Sequence, residues 1–408
     1  MHILLISDAY PPEIRSIAGM VREVALSLSA KGYAVTVVTA WPQYNLPNGV
    51  ISRNYRAVTI ESGVTVLRIK TPPLHNNPYI IRGIAQLLTP FLFLRVLRKH
   101  HINTVDAISL YVPPLPLGRL GALLKRRYGA RVIVNIQDVF PQNAIDLGFM
   151  TNPLIVSFFE RMEKRMYDAA DHMTTCTENA RQFLIEKKNI APARISTLHN
   201  WIDVAPYRAA QNSGVFRKRY GIDNDCCVIL FAGIHGPSQG LDAVLDLVPF
   251  MIRERVHFLF VGDGTEKKRL QERARREGMH NVQFESFVDP KDYPSLLREV
   301  DIGLMALDAD CKTPTIPGKF FGYAAAGLPM IALLNRESEG HRIIKEAQCG
   351  YVTLPYEVAR LTAALRALVT SEEKRRAMGA QGQQYVTTHC AKEHCMNIIE
   401  HLLIPKSI

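Results

Sequence analysis

At 408 residues the chain is too long for one ordinary α/β core and suits two domains of near-equal size. With 47% apolar and 21% charged residues it is globular rather than disordered, and a formal charge of +11 points to anionic partners: nucleic acid, an acidic membrane surface or a phosphorylated substrate. The seven cysteines are scattered and odd in number, which argues against a disulfide framework and for a reducing, cytoplasmic compartment.

The opening MHILLISDAYPPE lacks a basic start, a long apolar run and a small-residue cleavage site, so it reads as a strand and not as an export signal. The apolar runs HILLIS, VTVVTA, VTVLRI, AISLYV, RVIVNI and ISTLHN follow in order, with helical patterns between several of them. That alternation predicts a parallel, doubly wound sheet. Within it, the uncharged stretch Gly83–Leu94 lies between Arg82 and Arg95 and contains Pro90; its 12 residues fall short of the roughly 20 that span a bilayer. With Arg98 and Lys99, residues 79–100 suit either the interface of an anionic membrane or an amphipathic core helix. After Tyr207 the pattern restarts with VILFAG, VHFLFVG, VQFESF, IGLMAL and PMIALL, a second α/β unit. The polar stretch 209–225 between the two series places the boundary, giving domains 1–208 and 209–384.

Ligands of such sheets bind beyond the carboxyl ends of the strands, so the loops there carry the candidates. FAGIHGPSQGLD sets Gly233, Gly236 and Gly240 between a strand and a helix beginning near Gln239; the glycines admit a phosphate or make a tight turn, and His235 touches that phosphate or caps the loop. FVGDGTEKKRL offers Gly262 and Gly264, but Lys267 stands where a dinucleotide fingerprint has its third glycine, so this segment reads as a turn followed by a solvated basic helix. In TPTIPGKFFGYAAAGLP, Pro317 and Gly318 precede Lys319, which is placed to meet a diphosphate as a point charge or to lie solvated at the surface. Asp308 and Asp310 form an Asp-x-Asp pair that reads as coincidence rather than a metal site. His389, Cys390, His394 and Cys395 pair at a spacing of five, which does not align two zinc ligands on one helix face. No nucleic-acid-binding motif accompanies the positive charge.

Taken in order, SDAYPPE with Gly19, AWPQYNLPNG, GVTVLRIKTP, QDVFPQ with DLGF, HNWID, AGIHGPSQGLD, VGDG, IPGKFFGYAAAGLP and CGYV resemble the retaining GT-B glycosyltransferases of family 4. The resemblance covers nearly the whole chain and is nearest the bacterial O-antigen and exopolysaccharide branch. It implies two Rossmann-like doubly wound domains facing across a cleft, acceptor mainly on the first and donor on the second, with a C-terminal helix of about residues 385–408 packing back on the first. The implied donor is a nucleotide sugar, for this branch a UDP-linked N-acetylated amino sugar, used as substrate with no cofactor and no metal. The implied acceptor is a polyprenyl-diphosphate-linked glycan, met by a cytoplasmic enzyme lying peripherally on the inner face of an anionic cytoplasmic membrane.

Residue by residue, Lys319 matches the lysine of the branch's Pro-Ser-Lys motif, with Gly318 in place of the serine, and becomes the expected diphosphate ligand. Gly233, His235, Gly236, Gln239, Gly262, Gly264, Phe287 and Gly322 complete the implied donor side; Gly19, Asp138 and Asn200 face the acceptor. Gln137 stands where the family often has a histidine, and Asp138, which faces the acceptor or the donor sugar, follows it; with Lys319 these two are the implied catalytic residues. Ile234 and Gln239 replace an Arg and a Lys common in the family, and its Glu-x7-Glu pair falls on Pro314 and Gly322. Glu339 is the candidate surrogate carboxylate. Two other readings remain: a sugar-nucleotide epimerase, and a non-catalytic subunit that keeps the fold.

Overall fold

The computed structural model describes residues 1–13, 15–43, 46, 55–72, 79–100, 102–146, 148–311 and 316–405. The chain divides into two compact units, Met1–His199 with Met396–Ile408, and Asn200–Cys395.

Among the described residues the first unit holds an eight-stranded sheet: β1 (His2–Ile6), β2 (Ala34–Ala40), β3 (Val58–Glu61), β4 (Val64–Ile69), β5 (Ala107–Val112), β6 (Arg131–Ile136), β7 (His172–Thr175) and β8 (Ile195–Thr197). Their spatial order is β3-β4-β2-β1-β5-β6-β7-β8, parallel throughout except for the β3–β4 hairpin. That hairpin turns on Ser62 and Gly63, whose φ values of 50° and 83° give the turn that matches strand twist. Strands β1, β5 and β6 are almost wholly buried, which is why they read as near-continuous Ile, Leu and Val. Each such side chain contributes about 1.5–3 kcal/mol on leaving water. Two strands, β3 and β7, escape the sequence pattern: β3 is a half-exposed edge, and β7 reads HMTT.

Helix boundaries follow local chemistry. Asn152 accepts from the Leu154 and Ile155 N–H groups ahead of Pro153 and starts Pro153–Ala169, and Gly129, at φ 67°, closes Leu117–Tyr128. The helix Tyr79–Lys99 buries Ala85, Thr89, Phe93 and Leu97 on one face, while Ile84, Leu88 and Phe91 on the other are exposed. No helix among the described residues is long and apolar enough to cross a membrane.

The second unit holds β9 (Cys227–Ala232), β10 (Val256–Val261), β11 (Val282–Glu285), β12 (Ile302–Ala306), β13 (Met330–Leu333) and β14 (Gly350–Thr353), all parallel in the order β11-β10-β9-β12-β13-β14. One core packs Leu230, Met305, Phe320 and Tyr323 against one face of this sheet, and another packs Ile229, Phe231, Phe258 and Leu304 against the opposite face. Connection direction reverses between β9 and β12, which opens the ligand crevice of a doubly wound sheet at their carboxyl ends.

Residues 200–208 belong with this second unit rather than with the first. The helix Ala205–Ala209 packs on Tyr293–Leu297 and Lys319–Ala325, and Ile202 bridges to Ala391. The helix Glu372–His389 also stays here, where Gln383 Nε2 donates to Ala325 O at 2.9 Å. Only from Met396 does the chain count with the first unit, where Arg131 Nε donates to Leu402 O at 2.7 Å and Tyr33 Oη to Glu400 at 2.9 Å.

Candidate active site

The loops after β9, β10 and β12 interlock through their backbones. Gly233 N–H donates to Val261 O at 2.9 Å, Gly262 N–H to Glu285 O at 3.0 Å and His235 N–H to Asp263 O at 2.8 Å. A Cβ on Gly262 would stand 1.8 Å from Gly233 O, and one on Gly264 2.4 Å from His235 O. These two glycines are therefore required by the approach of one loop to the next. Lys267 Nζ fastens the same corner by donating to Gly262 O at 2.8 Å and Glu285 O at 2.9 Å, while Arg269 and Arg273 pair with Asp242. Across the crevice Gly240, at φ 55°, lies against the Asp308 backbone, whose N–H donates to Ser238 O at 2.9 Å. Asp308 itself accepts from Asp310 N–H at 3.0 Å, a local turn, and no three His, Cys, Asp or Glu side chains gather as a ligand set among the described residues.

Lys319 opens the helix Lys319–Ala325 and lies across Gly233: a Cβ there would sit 3.4 Å from its Cε and 3.7 Å from its Nζ. The ammonium rests 4.0 Å from the centroid of the Phe231 ring and donates to Gln239 Oε1 at 2.7 Å. Its described partners are thus a ring and an amide, not a carboxylate. Burial pulls its pKa from 10.5 to about 7. A half-buried cation held only by dipoles is set to receive an anion, and the helix behind it is too short to supply much dipole of its own.

The remaining donor-side residues separate. His235 is fully buried against Phe231, Phe260 and Phe284, neither ring nitrogen has a hydrogen-bond partner among the described residues, and burial pushes its pKa down to about 4. Its imidazole packs into the aromatic layer, and its backbone N–H joins the loop to Asp263 O. Gly236 has room, its nearest neighbour being Ile234 Cγ2 at 3.6 Å from a built Cβ, and it lines a hollow of about 440 Å³ with Gly240 and Asp308. Phe287, after β11, is exposed. Glu339 is buried at the start of Gly340–Glu346 and pairs with Arg342 at 2.5 Å. Pro314 lies outside the described residues.

Gly322, one turn after Lys319, reveals something the sequence did not. A Cβ there would meet Tyr293 Cε1 at 3.2 Å, Tyr207 Oη at 3.5 Å and Tyr293 Oη at 3.6 Å. Two phenols fill the space at the root of the missing glutamate. Neither hydroxyl has a hydrogen-bond partner among the described residues, and burial holds both above the ordinary tyrosine pKa, so both remain donors. Nothing in the sequence flagged them, since they come from the linker and from the helix after β11.

In the first unit, Gln137 follows β6 and donates to Asn135 Oδ1 at 2.5 Å, while Asn135 donates to Thr174 Oγ1 at 3.0 Å. This ladder across β6 and β7 fixes the Gln137 side chain, and Asp138 beside it is exposed. Gly19 lies exposed on Ser16–Ala30 with open space where a Cβ would stand. Asn200 counts with the second unit, and its buried Oδ1 has no hydrogen-bond partner among the described residues. Beyond β1, Arg15 pairs with Asp8 at 3.0 Å and Glu13 at 3.6 Å, and Glu13 accepts from Gln43 N–H at 2.9 Å, a charged knot of which the SDAYPPE motif holds only the two carboxylates.

Comparison with known proteins bears on this geometry. A glycosyl transferase 4-like domain model matches residues 17–201, and a glycosyl transferases group 1 model matches 226–371. The putative colanic acid biosynthesis glycosyl transferase WcaI of Escherichia coli K12 is 26% identical over 341 residues, covering 80% of this chain and 82% of that protein. Sucrose-phosphate synthase from Thermosynechococcus elongatus superposes with a TM-score of 0.73 at 14% identity, covering 98% of each chain. Anabaena Alr3699/HepE in complex with UDP does so at 0.72 and 14%, covering 99% of each. With its two domain models in sequence and its two doubly wound sheets, the chain belongs to the glycosyltransferases of GT-B fold.

Proposed function

We propose that this glycosyltransferase moves an N-acetylated amino sugar, with retention and without a metal ion, from UDP to a polyprenyl-diphosphate-linked glycan during surface polysaccharide assembly. It does so from the inner face of the cytoplasmic membrane. The observation that carries the donor half is Lys319: a partly buried ammonium lying across Gly233 in the crevice, held by Phe231 and Gln239. The UDP complex of HepE supports the choice of base, and the function named for WcaI supports a polysaccharide product. The net charge of +11 and the outward apolar face of Tyr79–Lys99 support the membrane.

The diphosphate lies on loops 233–240, 262–264 and 285–288, with Tyr207 and Tyr293 offering hydroxyls to the ribose in place of the carboxylate that Gly322 lacks. As the bond from the anomeric carbon to the phosphate oxygen breaks, its electron pair stays on that oxygen, and Lys319 Nζ neutralises the charge. The acceptor hydroxyl attacks the anomeric carbon on the same face and gives its proton to the departing oxygen. The configuration is retained and no enzyme nucleophile is needed. Gly19 and Asp138 attend the acceptor, with Gln137, held by Asn135, as the catalytic neighbour of Asp138.

Calorimetric titration of UDP, GDP, dTDP and their sugars, with and without EDTA, tests the reading. Micromolar, EDTA-insensitive binding of the uridine nucleotides alone supports it; silence from all of them returns the chain to the non-catalytic alternative. An inverted product anomer, or a trapped glycosyl-enzyme, would remove retention by the front-face route. Lys319→Ala should lower turnover at least about tenfold, roughly 1.4 kcal/mol of transition-state stabilisation.

A further inference from the structure

The segments that leave the carboxyl ends of β1, β2 and β4 in the first unit take no part in the donor crevice, and polar groups tie them to one another. Trp41 N–H donates to Ile69 O at 2.8 Å, Gln43 N–H to the Glu13 carboxylate at 2.9 Å and Gln43 Nε2 to Thr71 O at 3.2 Å. Asp8 and Glu13 act as scaffold here, since both are buried and share Arg15. Two hydroxyls at this edge, Tyr10 Oη and Thr71 Oγ1, belong to residues only 2% and 9% exposed and have no hydrogen-bond partner among the described residues. A buried hydroxyl left unpaired costs free energy, so it marks a place that a ligand can complete.

What this edge turns outward differs in character. The half-buried Trp41 ring has the Lys70 ammonium 5.3 Å from its centroid. Lys70 is exposed and forms no ion pair among the described residues, and the same holds for Arg22, on the helix Ser16–Ala30, whose charge reaches the Tyr10 phenol. Charge decides what fits. Asp8 and Glu13 have one arginine between them and Glu61 takes Arg68, which leaves one carboxylate in excess; Lys70 and Arg22 turn that into a single positive charge. A neutral ligand leaves that charge unanswered. A diphosphate brings more negative charge than it offsets, against the fixed carboxylates of Asp8 and Glu13. A flat indole beside an amide, a hydroxyl and one long-stemmed ammonium suits a pyranose ring that carries a single carboxylate.

We propose that Trp41, Gln43, Lys70 and Thr71 form a subsite for an acidic sugar, a hexuronic acid of the acceptor glycan. The apolar face of the sugar ring lies on the indole, ring hydroxyls meet Gln43 Oε1 and Thr71 Oγ1, and Lys70 Nζ leaves the indole face for the sugar carboxylate. The inference deepens the proposed function and rests on its placing of the acceptor on the first unit. The subsite sets which glycan is extended, and Lys70 sets the preference for the acidic one.

The chain has two tryptophans, and Trp201, in the second unit, is buried, so Trp41 emission reports on the subsite. The full-length protein is titrated with methyl glucuronide, methyl glucoside and inorganic pyrophosphate, followed by tryptophan emission, and with UDP by calorimetry. The wild type should bind the glucuronide with a change in emission and about tenfold more tightly than the glucoside, the worth of one charge-assisted contact. Lys70→Met should bring the two glycosides level while UDP binds as before, and Lys70→Arg should keep the preference. Equal binding of the two glycosides by the wild type, silence from both, or a preference that survives Lys70→Met overturns the subsite. So does pyrophosphate binding more tightly than the glucuronide, which makes this edge a phosphate site. A protein that selects the glucuronide but fails to bind UDP upholds the subsite and strikes the donor reading alone.

Discussion

At the scale of single residues, the chemistry turns on how little is provided to neutralise Lys319. Burial holds its pKa near 7, so at about pH 8 most of the free protein carries a neutral amine there, and a diphosphate arriving beside it restores the proton. UDP binding should therefore take up protons at about pH 8 and nearly none at about pH 6, where the amine is already charged. Calorimetry in buffers of different ionisation enthalpy measures this directly; enthalpies that do not vary with buffer at the higher pH would separate Lys319 from the diphosphate. The phenols beside Gly322 make a second prediction. Tyr293→Phe removes one hydroxyl without opening a cavity and should weaken UDP binding by about two- to tenfold, the worth of a single hydrogen bond. Binding of a 2′,3′-dideoxy analogue should be unaffected by that change, and an equal loss for both ligands would place Tyr293 away from the ribose.

At the scale of elements, the glycines of the donor loops fall into two kinds that the sequence pattern does not distinguish. Gly262 has the Gly233 carbonyl where its Cβ would be, 1.8 Å away, whereas Gly236 has its nearest neighbour at 3.6 Å. Gly262→Ala should destabilise the protein by more than about 2 kcal/mol through forced separation of the loops after β9 and β10, while Gly236→Ala should stay within about 0.5 kcal/mol. Urea midpoints of the two variants check this, and equal midpoints would mean that the loops are not locked together. His235 belongs to the same account. Its side chain serves the layer formed by Phe231, Phe260 and Phe284, and its backbone serves the loop.

At the scale of the molecule, the donor assignment makes the two units respond differently to one ligand. At about a hundredfold excess over its dissociation constant, UDP should stabilise the folded state it binds by about 2.7 kcal/mol. Hydrogen exchange should slow in 233–240, 262–264 and the turn around Lys319 in the second unit, and remain unchanged along β5 and β6 of the first. Slowing confined to the first unit would reverse the division of labour. The net charge acts at this scale as well: it favours anionic surfaces in general, and the helices Leu117–Tyr128 and Pro153–Ala169 bring Arg119, Arg126, Arg161 and Arg165 to one groove.

The sequence by itself determined the doubly wound character of both halves, because strands buried on two faces must be runs of Ile, Leu, Val and Phe, and HILLI, AISLYV, RVIVNI, CVILFA and VHFLFV are such runs. It also singled out the candidate donor loops and Lys319, since the segments that follow parallel strands are where ligands of such sheets bind. Strands that carry no apolar run, such as HMTT, were beyond it, as was the join at Asn200, which depends on what the helix Ala205–Ala209 packs against. Only the tertiary structure decided that His235 turns inward, that Gly262 and Gly264 exist for backbone contact, and that Tyr207 and Tyr293 stand beside Gly322. It alone gathered Arg119, Arg126, Arg161 and Arg165 into one groove. Local sequence encodes burial by its periodicity, but which polar group meets which depends on contacts between residues far apart in the chain, and periodicity carries no record of those.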